Sequence, residues 1–281
     1  MPDPVHETPA TAPCLEACCF GADPDGQWAR MARVLAWTAG QHCPGWVSHI
    51  QRIRPQPMVS ALGIASHVAN TQKMEHWYTL VSAAPDGARL LLLDADTMIT
   101  RPLDDVWDRD FDLAYTTKES RFPFNSGVVF VRVTDRARAF VSAWRDENRR
   151  MLGDSAHHQT WRKRYGGINQ ASLGFMLAQP PRAGLTIATL PCVEWNCEDF
   201  SWERFDPRVT RIVHLKSSLR RAIFLRTAVG QHVRPLAALW GTLEREALEA
   251  ERQAVSSPAL TGVRRPPLGP PGATSPRLGA K

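Results

Sequence analysis

Residues 90–107 read LLLLDADTMITRPLDDVW. Four leucines in a row suit a buried strand. A strand's side-chain period of two sends Asp94 and Asp96 to one face and Ala95 to the other. Two like charges at the end of such a strand repel. Burying them unpaired costs several kcal/mol or forces one to keep a proton. A divalent cation removes both difficulties: two hard oxygen ligands suit Mg²⁺ or Mn²⁺, which commonly bridge protein carboxylates to a substrate diphosphate. The plainer alternative is a turn with solvated carboxylates or a helix cap. An EF-hand loop is excluded, because its further oxygen ligands and the glycine at its sixth position are missing.

Outward from this stretch the chain alternates. LEACCFGA (15–22) reads as a buried strand, and PDGQWARMARVLAWTAGQH (24–42) as a helix with Trp28, Met31, Val34 and Leu35 on one stripe. WVSHIQRI (46–53) reads as a second strand. Asn70 caps a predicted helix through Ala84, on which Met74, Trp77, Tyr78 and Val81 follow the i, i+3, i+4, i+7 spacing. Strands are predicted at DLAYTT (112–117), NSGVVFVRV (125–133), LTIATL (185–190) and RIVHLK (211–216). Helices are predicted after a cap at Thr134 or Asp135, over 168–179, and around Leu236, Leu239, Trp240 and Leu243. GDSAHHQTWRKRYGG (153–167) reads as a solvated basic loop. Strands separated by helices imply an α/β domain with a mostly parallel sheet and helices on both faces. In such sheets, ligands bind beyond the carboxyl ends of the strands.

The formal charge is +6, yet Arg252, Arg264, Arg265, Arg277 and Lys281 supply five of those charges in a stretch without acids. The remainder is near neutral, which argues against a nucleic-acid groove and leaves the tail a peripheral contact with an anionic membrane surface. Four prolines in residues 1–13 and a Pro/Gly-rich, aperiodic 253–281 predict disordered ends around a single domain over 14–252. No run approaches the roughly 20 apolar residues of a membrane span. The start MPDPVHETPATAPC has neither the basic nor the apolar part of a secretion signal, so a cytoplasmic setting is expected. The six cysteines are then expected to be reduced, with a Cys192–Cys197 bridge as the alternative. No C-x-x-C spacing supports a zinc site.

Two enzyme classes place D-x-D after a hydrophobic strand. Haloacid-dehalogenase-like phosphatases usually read D-x-D-x-T, whereas Thr97 here stands one place early. The alternative with more support is a series of motifs. NTQKMEHWYTLVSA (70–83) followed by the leucine–DAD stretch, FNSGVVFVR (124–132), GINQASLGFML (167–177), LPCVEWNC (190–197) and IVHLKSSLR (212–220) resembles, in order and spacing, the nucleotide-sugar-dependent glycosyltransferases of the GT-A fold, family-8-like enzymes among them. That resemblance implies a GT-A-type (Rossmann-like) fold. It also implies metal-dependent transfer of a sugar from a nucleoside-diphosphate sugar to a carbohydrate, lipid or peptide hydroxyl, with retention. A catalytically inactive GT-A-like nucleotide- or partner-binding domain is the further alternative.

The resemblance implies the following roles. Asp94, Asp96 and His214 hold Mn²⁺ (or Mg²⁺), and Asp96 also lies near the ribose, with Ala95 between the two acids. Lys73, Lys216 and Arg220 face the phosphates, Arg220 standing where the family has lysine. Ser217 replaces a glycine of the closing motif. Asn125, Ser126 and Gly127 lie beside the donor sugar, as do Gln170 and Asn169, the latter in place of the usual Asp. Phe20, Gly21 and Ala22 approach the base. Asp96, Gln170 and Arg220 are the expected catalytic residues. Trp195 and Trp202, in a stretch without periodicity, are expected to stack on the acceptor.

Overall fold

A computed structural model describes residues 12–20, 26–53, 56–180, 184–199, 201–228 and 230–256. The first half of the chain forms β1 (Cys14–Phe20), α1 (Gln27–His42), β2 (Val47–Ile53), α2 (Ala65–Ala83), β3 (Arg89–Asp94) and β4 (Thr97–Ile99). There follow β5 (Leu113–Thr117), β6 (Phe124–Arg132), α3 (Asp135–Gly153), α4 (Ser155–Tyr165) and α5 (Ile168–Ala178). The last elements are β7 (Ile187–Pro191), the short α6 (Cys192–Trp195), β8 (Ile212–His214), α7 (Ser217–Leu225) and α8 (Arg234–Ser256).

The leucine run is central because both its faces are covered. The main sheet has the order β2-β1-β3-β6-β5-β7. β1 runs parallel to β2 and β3, β7 runs parallel to β5, and β6 is antiparallel to both its neighbours. Leu91 and Leu93 pack with Leu35 and Ala39 of α1, while Leu90 and Leu92 pack with Met74, Trp77 and Val81 of α2 and Phe140, Val141 and Trp144 of α3. Uninterrupted apolar strands belong in such a two-sided layer. Each large side chain so enclosed contributes about 1.5–3 kcal/mol. α8 closes the α1 side, with Leu236 and Trp240 against Met31 and Val34. β4 and β8 form a separate antiparallel pair.

Thr134 caps α3 as expected, its Oγ1 accepting from Ala137 N at 3.1 Å. Other expectations change. Asn70 is no cap: α2 starts at Ala65, and Asn70 Nδ2 donates to Ser66 O at 2.9 Å inside the helix. The extra turn forms because Val68 packs into a small core with Met151, Ile168 and Ala171. The basic segment expected to be a loop is α4, capped by the Asp154 carboxylate, which accepts from His157 N at 2.9 Å, and ended by Gly166 at φ +95°. Trp195 and Trp202 do not offer their faces to an acceptor. Both are buried, Trp195 edge-on to Phe130 with the Arg211 guanidinium 4.5 Å from its ring, and Trp202 against the α7–α8 core. All six cysteines are free, so Cys192 and Cys197 are not bridged. α8 continues to Ser256, where the sequence suggested a tail from 253. Gly21, Ala22, residues 1–11 and residues 257–281 lie outside the described residues.

Candidate active site

The alternation that buries the leucines carries past the end of β3. Ala95 joins the same core as Leu91 and Leu93, so Asp94 and Asp96 emerge on the opposite side. The chain bends at Ala95 and Asp96, and Asp96 therefore lies just beyond the strand instead of within it. β4 then pairs with β8, setting Thr97 opposite His214, and Leu215 N donates to Asp96 O at 2.7 Å. This pairing brings the imidazole to the acids. His214 Nε2 lies 3.2 Å from Asp96 Oδ1 and 3.7 Å from Asp94 Oδ2. One ligand atom from each of the three residues lies within 4.8 Å of the others.

A short relay sets the orientation of His214. Thr116 Oγ1 donates to Asn125 O at 3.0 Å, so it accepts from Asn196 Nδ2 at 2.8 Å. Asn196 therefore presents Oδ1 to His214 Nδ1 at 3.0 Å, and only a protonated Nδ1 can donate to it. In the neutral imidazole this leaves the Nε2 lone pair aimed at the two carboxylates, the arrangement of a metal-binding histidine held by an outer partner. Gly127 keeps the space between them open. A Cβ there would stand 2.5 Å from His214 Cε1, 2.6 Å from Asp94 Oδ2 and 2.9 Å from Asn125 Oδ1. Two carboxylates, one imidazole lone pair and this gap fit a divalent cation.

Three cations surround the acids. Lys73, buried on α2, pairs with Asp94 Oδ1 and lies 4.5 Å from the Trp77 ring centroid. Arg220 Nη1 is 3.3 Å from Asp96 Oδ2, its guanidinium 5.4 Å from the Trp28 ring. Lys216 lies beyond the end of β8, its Nζ 3.7 Å from Glu198 Oε2. Burial alone would raise the Asp96 pKa; Arg220 and Lys216, joined by His214 when its ring carries a second proton, outweigh it and hold the carboxyl below the usual range. Glu198, buried and also paired with Lys118, is pushed up by burial and by its bond to Asp199, against the pull of both lysines.

Lys73, Asp94, Ala95, Asp96, His214, Lys216 and Arg220 line one cleft of about 580 Å³, whose other wall includes Trp28, Ser66 and Asn70. That size is ordinary for a small-molecule site. The remaining sequence-predicted residues are placed differently. Asn125 is buried on β6, its Oδ1 accepting from Gly127 N at 2.7 Å and its Nδ2 without a hydrogen-bond partner, and Ser126 is buried beside it. Asn169 Oδ1 accepts from Asn148 Nδ2 at 2.8 Å in a buried polar chain that reaches Thr71. Gln170 Nε2 donates to Tyr165 O at 2.8 Å and Phe124 O at 3.2 Å. None of these four lines the cleft. Phe20 ends β1. Sequence reasoning missed Asn196, Thr116 and Glu198 as supports. Asn196 and Glu198 lie in or beside the LPCVEWNC motif, which was noted without a role for either residue.

No protein-family model matches the sequence, and no curated protein matches it. Among solved structures the chain is similar to a glycosyltransferase involved in the glycosylation of the major capsid of PBCV-1, at 14% identity over 73% of this chain and 95% of that chain, with a TM-score of 0.50. It is similar also to the galactosyltransferase LgtC in complex with donor and acceptor sugar analogues, at 11% identity over 83% and 95% of the two chains, with a TM-score of 0.54. The fold is therefore that of the GT-A glycosyltransferases.

Proposed function

We propose that the protein is a metal-dependent glycosyltransferase that moves a sugar from a nucleoside-diphosphate sugar to an acceptor hydroxyl, with retention at the anomeric carbon. The observation that carries this proposal is the convergence of Asp94, Asp96 and His214 beside Lys73, Lys216 and Arg220 in one cleft. Support comes from the two solved structures of like fold, a galactosyltransferase and an enzyme of capsid glycosylation.

Asp94, Asp96 and His214 would hold Mn²⁺ or Mg²⁺, with the imidazole favouring Mn²⁺, and the ion would neutralise charge on the diphosphate as the glycosidic bond breaks. The protein's own groups do the rest. Arg220 and Lys216 favour the ionised form of Asp96 against its burial. Arg220 and Lys216 place fixed positive charge where the leaving nucleoside diphosphate gains negative charge, in a site partly screened from water. Lys73 balances Asp94 and fixes one of its oxygens, leaving the other towards His214. In this proposal Gly127 borders the sugar side, with Asn125, Ser126, Asn169 and Gln170 set behind the cleft lining as its support, and Phe20, Gly21 and Ala22 take the base side. The acceptor is a carbohydrate, lipid or peptide hydroxyl, and the catalytic domain runs from residue 14 to the end of α8 at Ser256, in the cytoplasm. No helix among the described residues is long and apolar enough to cross a membrane.

A haloacid-dehalogenase-like phosphatase is not favoured, because the solved structures of like fold are glycosyltransferases. A panel of nucleotide sugars incubated with Mn²⁺ tests the proposal. Donor hydrolysis is expected from the wild type and a fall on the order of 100-fold or more in Asp96→Ala. No turnover and no UDP or GDP binding across the panel would refute it, and binding without turnover would mark an inactive domain. The anomeric configuration of the product, read by NMR, checks retention.

A further inference from the structure

A second group of ligating side chains lies on β1, running along the strand away from Cys18, which itself lines the cleft. Cys14, Glu16 and Cys18 alternate along β1 and so share one face. His49 stands opposite Glu16 on the edge strand β2, and His76 reaches the same face from α2. Glu16 is fully buried, 0% exposed, and its two oxygens have different surroundings. Oε1 meets His76 Nε2 at 2.6 Å. Oε2 has no hydrogen-bond partner, although His49 Nδ1 approaches it at 3.3 Å. The same His49 Nδ1 lies 3.8 Å from Cys14 Sγ. A buried carboxylate oxygen without a donor is costly, and every group aimed at it can bind a metal.

From this geometry we propose that Cys14, Glu16 and His49 bind a zinc ion, with His76 as the positioning residue that holds Glu16 through its other oxygen. The separations agree with the coordination. Zinc bonds of about 2.0–2.3 Å to O, N and S in a tetrahedron put neighbouring ligand atoms roughly 3.4–3.6 Å apart. The observed 3.3 Å and 3.8 Å bracket that edge. Thiolate, imidazole and carboxylate form a borderline-soft set that suits zinc over the hard ions expected at Asp94 and Asp96. The charges balance as well: a thiolate and a carboxylate neutralise a divalent ion, which removes the cost of the buried Glu16. His49 is half exposed, so the ion has an entry from the sheet edge, and a fourth position is left for water. The thiolate is the form that binds zinc, so binding displaces a proton from Cys14.

Cobalt substitution tests this on the full chain. The chelator-stripped protein is titrated with Co²⁺ and followed by optical absorption, then competed with Zn²⁺. In the Asp96→Ala background, which removes a ligand of the other cation site, the expected result is a tetrahedral visible spectrum with a thiolate charge-transfer band that saturates at one equivalent and is abolished by Zn²⁺. Cys14→Ser should remove the charge-transfer band. His49→Gln, at an exposed edge position, should weaken Co²⁺ binding by at least about tenfold with the far-UV circular dichroism unchanged, as should His76→Ala. Asp96→Ala should leave the band intact, since the other metal cluster contains no sulfur. A Co²⁺ complex without a thiolate band, or a band that survives both Cys14→Ser and His49→Gln, overturns the proposal.

Discussion

Gly127→Ala puts the metal cradle to its most direct test. Within a strand, replacing glycine by alanine ordinarily gains about 0.5–1 kcal/mol, because the unfolded chain loses freedom. At position 127 the new Cβ meets His214 Cε1 at 2.5 Å, Asp94 Oδ2 at 2.6 Å and Asn125 Oδ1 at 2.9 Å, all inside normal contact. None of the three can swing away freely: Asn196 holds His214, Lys73 holds Asp94, and Asn125 is fastened to the Gly127 N–H. Overpacking of this kind costs about 1–3 kcal/mol. The balance is a loss of roughly 0.5–2 kcal/mol, which is about 1–8 °C in Tm for a domain of this size. The larger effect is on the cation. If Mn²⁺ is supplied at about 100 times its Kd, the wild type gains about 2.7 kcal/mol. Gly127→Ala should lose most of that gain, because the methyl group occupies the gap and pushes two ligands apart. Thermal unfolding with and without Mn²⁺ measures both effects in one experiment. A variant that unfolds at a lower temperature yet keeps the full Mn²⁺-dependent rise would refute the assignment of the cradle.

Three further outcomes are expected. Asn196→Ala should weaken Mn²⁺ binding about 10–100-fold by freeing the His214 ring, while isothermal titration shows unchanged stoichiometry. Ser217, φ +41°, occupies a left-handed conformation, and its Oγ donates to Asp199 Oδ2 at 3.2 Å on the surface. Relief of about 1–2 kcal/mol of strain exceeds the entropic cost of glycine, so Ser217→Gly should raise stability by about 0.5–1 kcal/mol in a urea titration. Asp112 accepts from Thr134 Oγ1 at 2.7 Å, Thr186 N at 2.9 Å, and Arg136 Nε and Nη2 at 3.1 and 3.2 Å. Burial would raise its pKa, but Arg136, Thr186 and Thr134 hold it below 3.8. A depressed folded-state pKa gives stability that is present above 3.8 and lost as pH falls through the lower folded value, so Asp112→Asn should flatten the acid limb of the urea midpoint below about pH 4. An unchanged slope would assign that limb to other carboxylates.

What could be read in advance depended on how local the physics is. The leucine strand and α1 follow from side-chain periods, and the α3 start follows from one hydroxyl three residues before a backbone N–H. α4 was illegible because only His158 and Tyr165 of its residues are buried, so no apolar stripe marks it, although Asp154 and Gly166 were its end signals. Trp195 and Trp202 were misjudged because irregular chain, with no period of its own, buries them. At the site, the acid pair was visible from its own neighbours. His214 was visible only through motif order, since it is 118 residues from Asp96 and arrives by the β4–β8 pairing. Asn196 could not be assigned a role, because which atom of an amide faces a ring depends on a relay of three other groups.

The β4–β8 pairing also has a consequence for how the chain is made. During synthesis the acid pair, Lys73 and Gly127 leave the ribosome well before His214 does. A nascent chain folded through β6 can already seat Lys73 on Asp94, so the ammonium acts as the provisional counter-ion while the third ligand is still being translated. In the proposed site, tight cation binding would then wait until β8 has docked on β4. Chains cut short before residue 214 hold every strand of the central sheet and would still lack the third ligand of the proposed site.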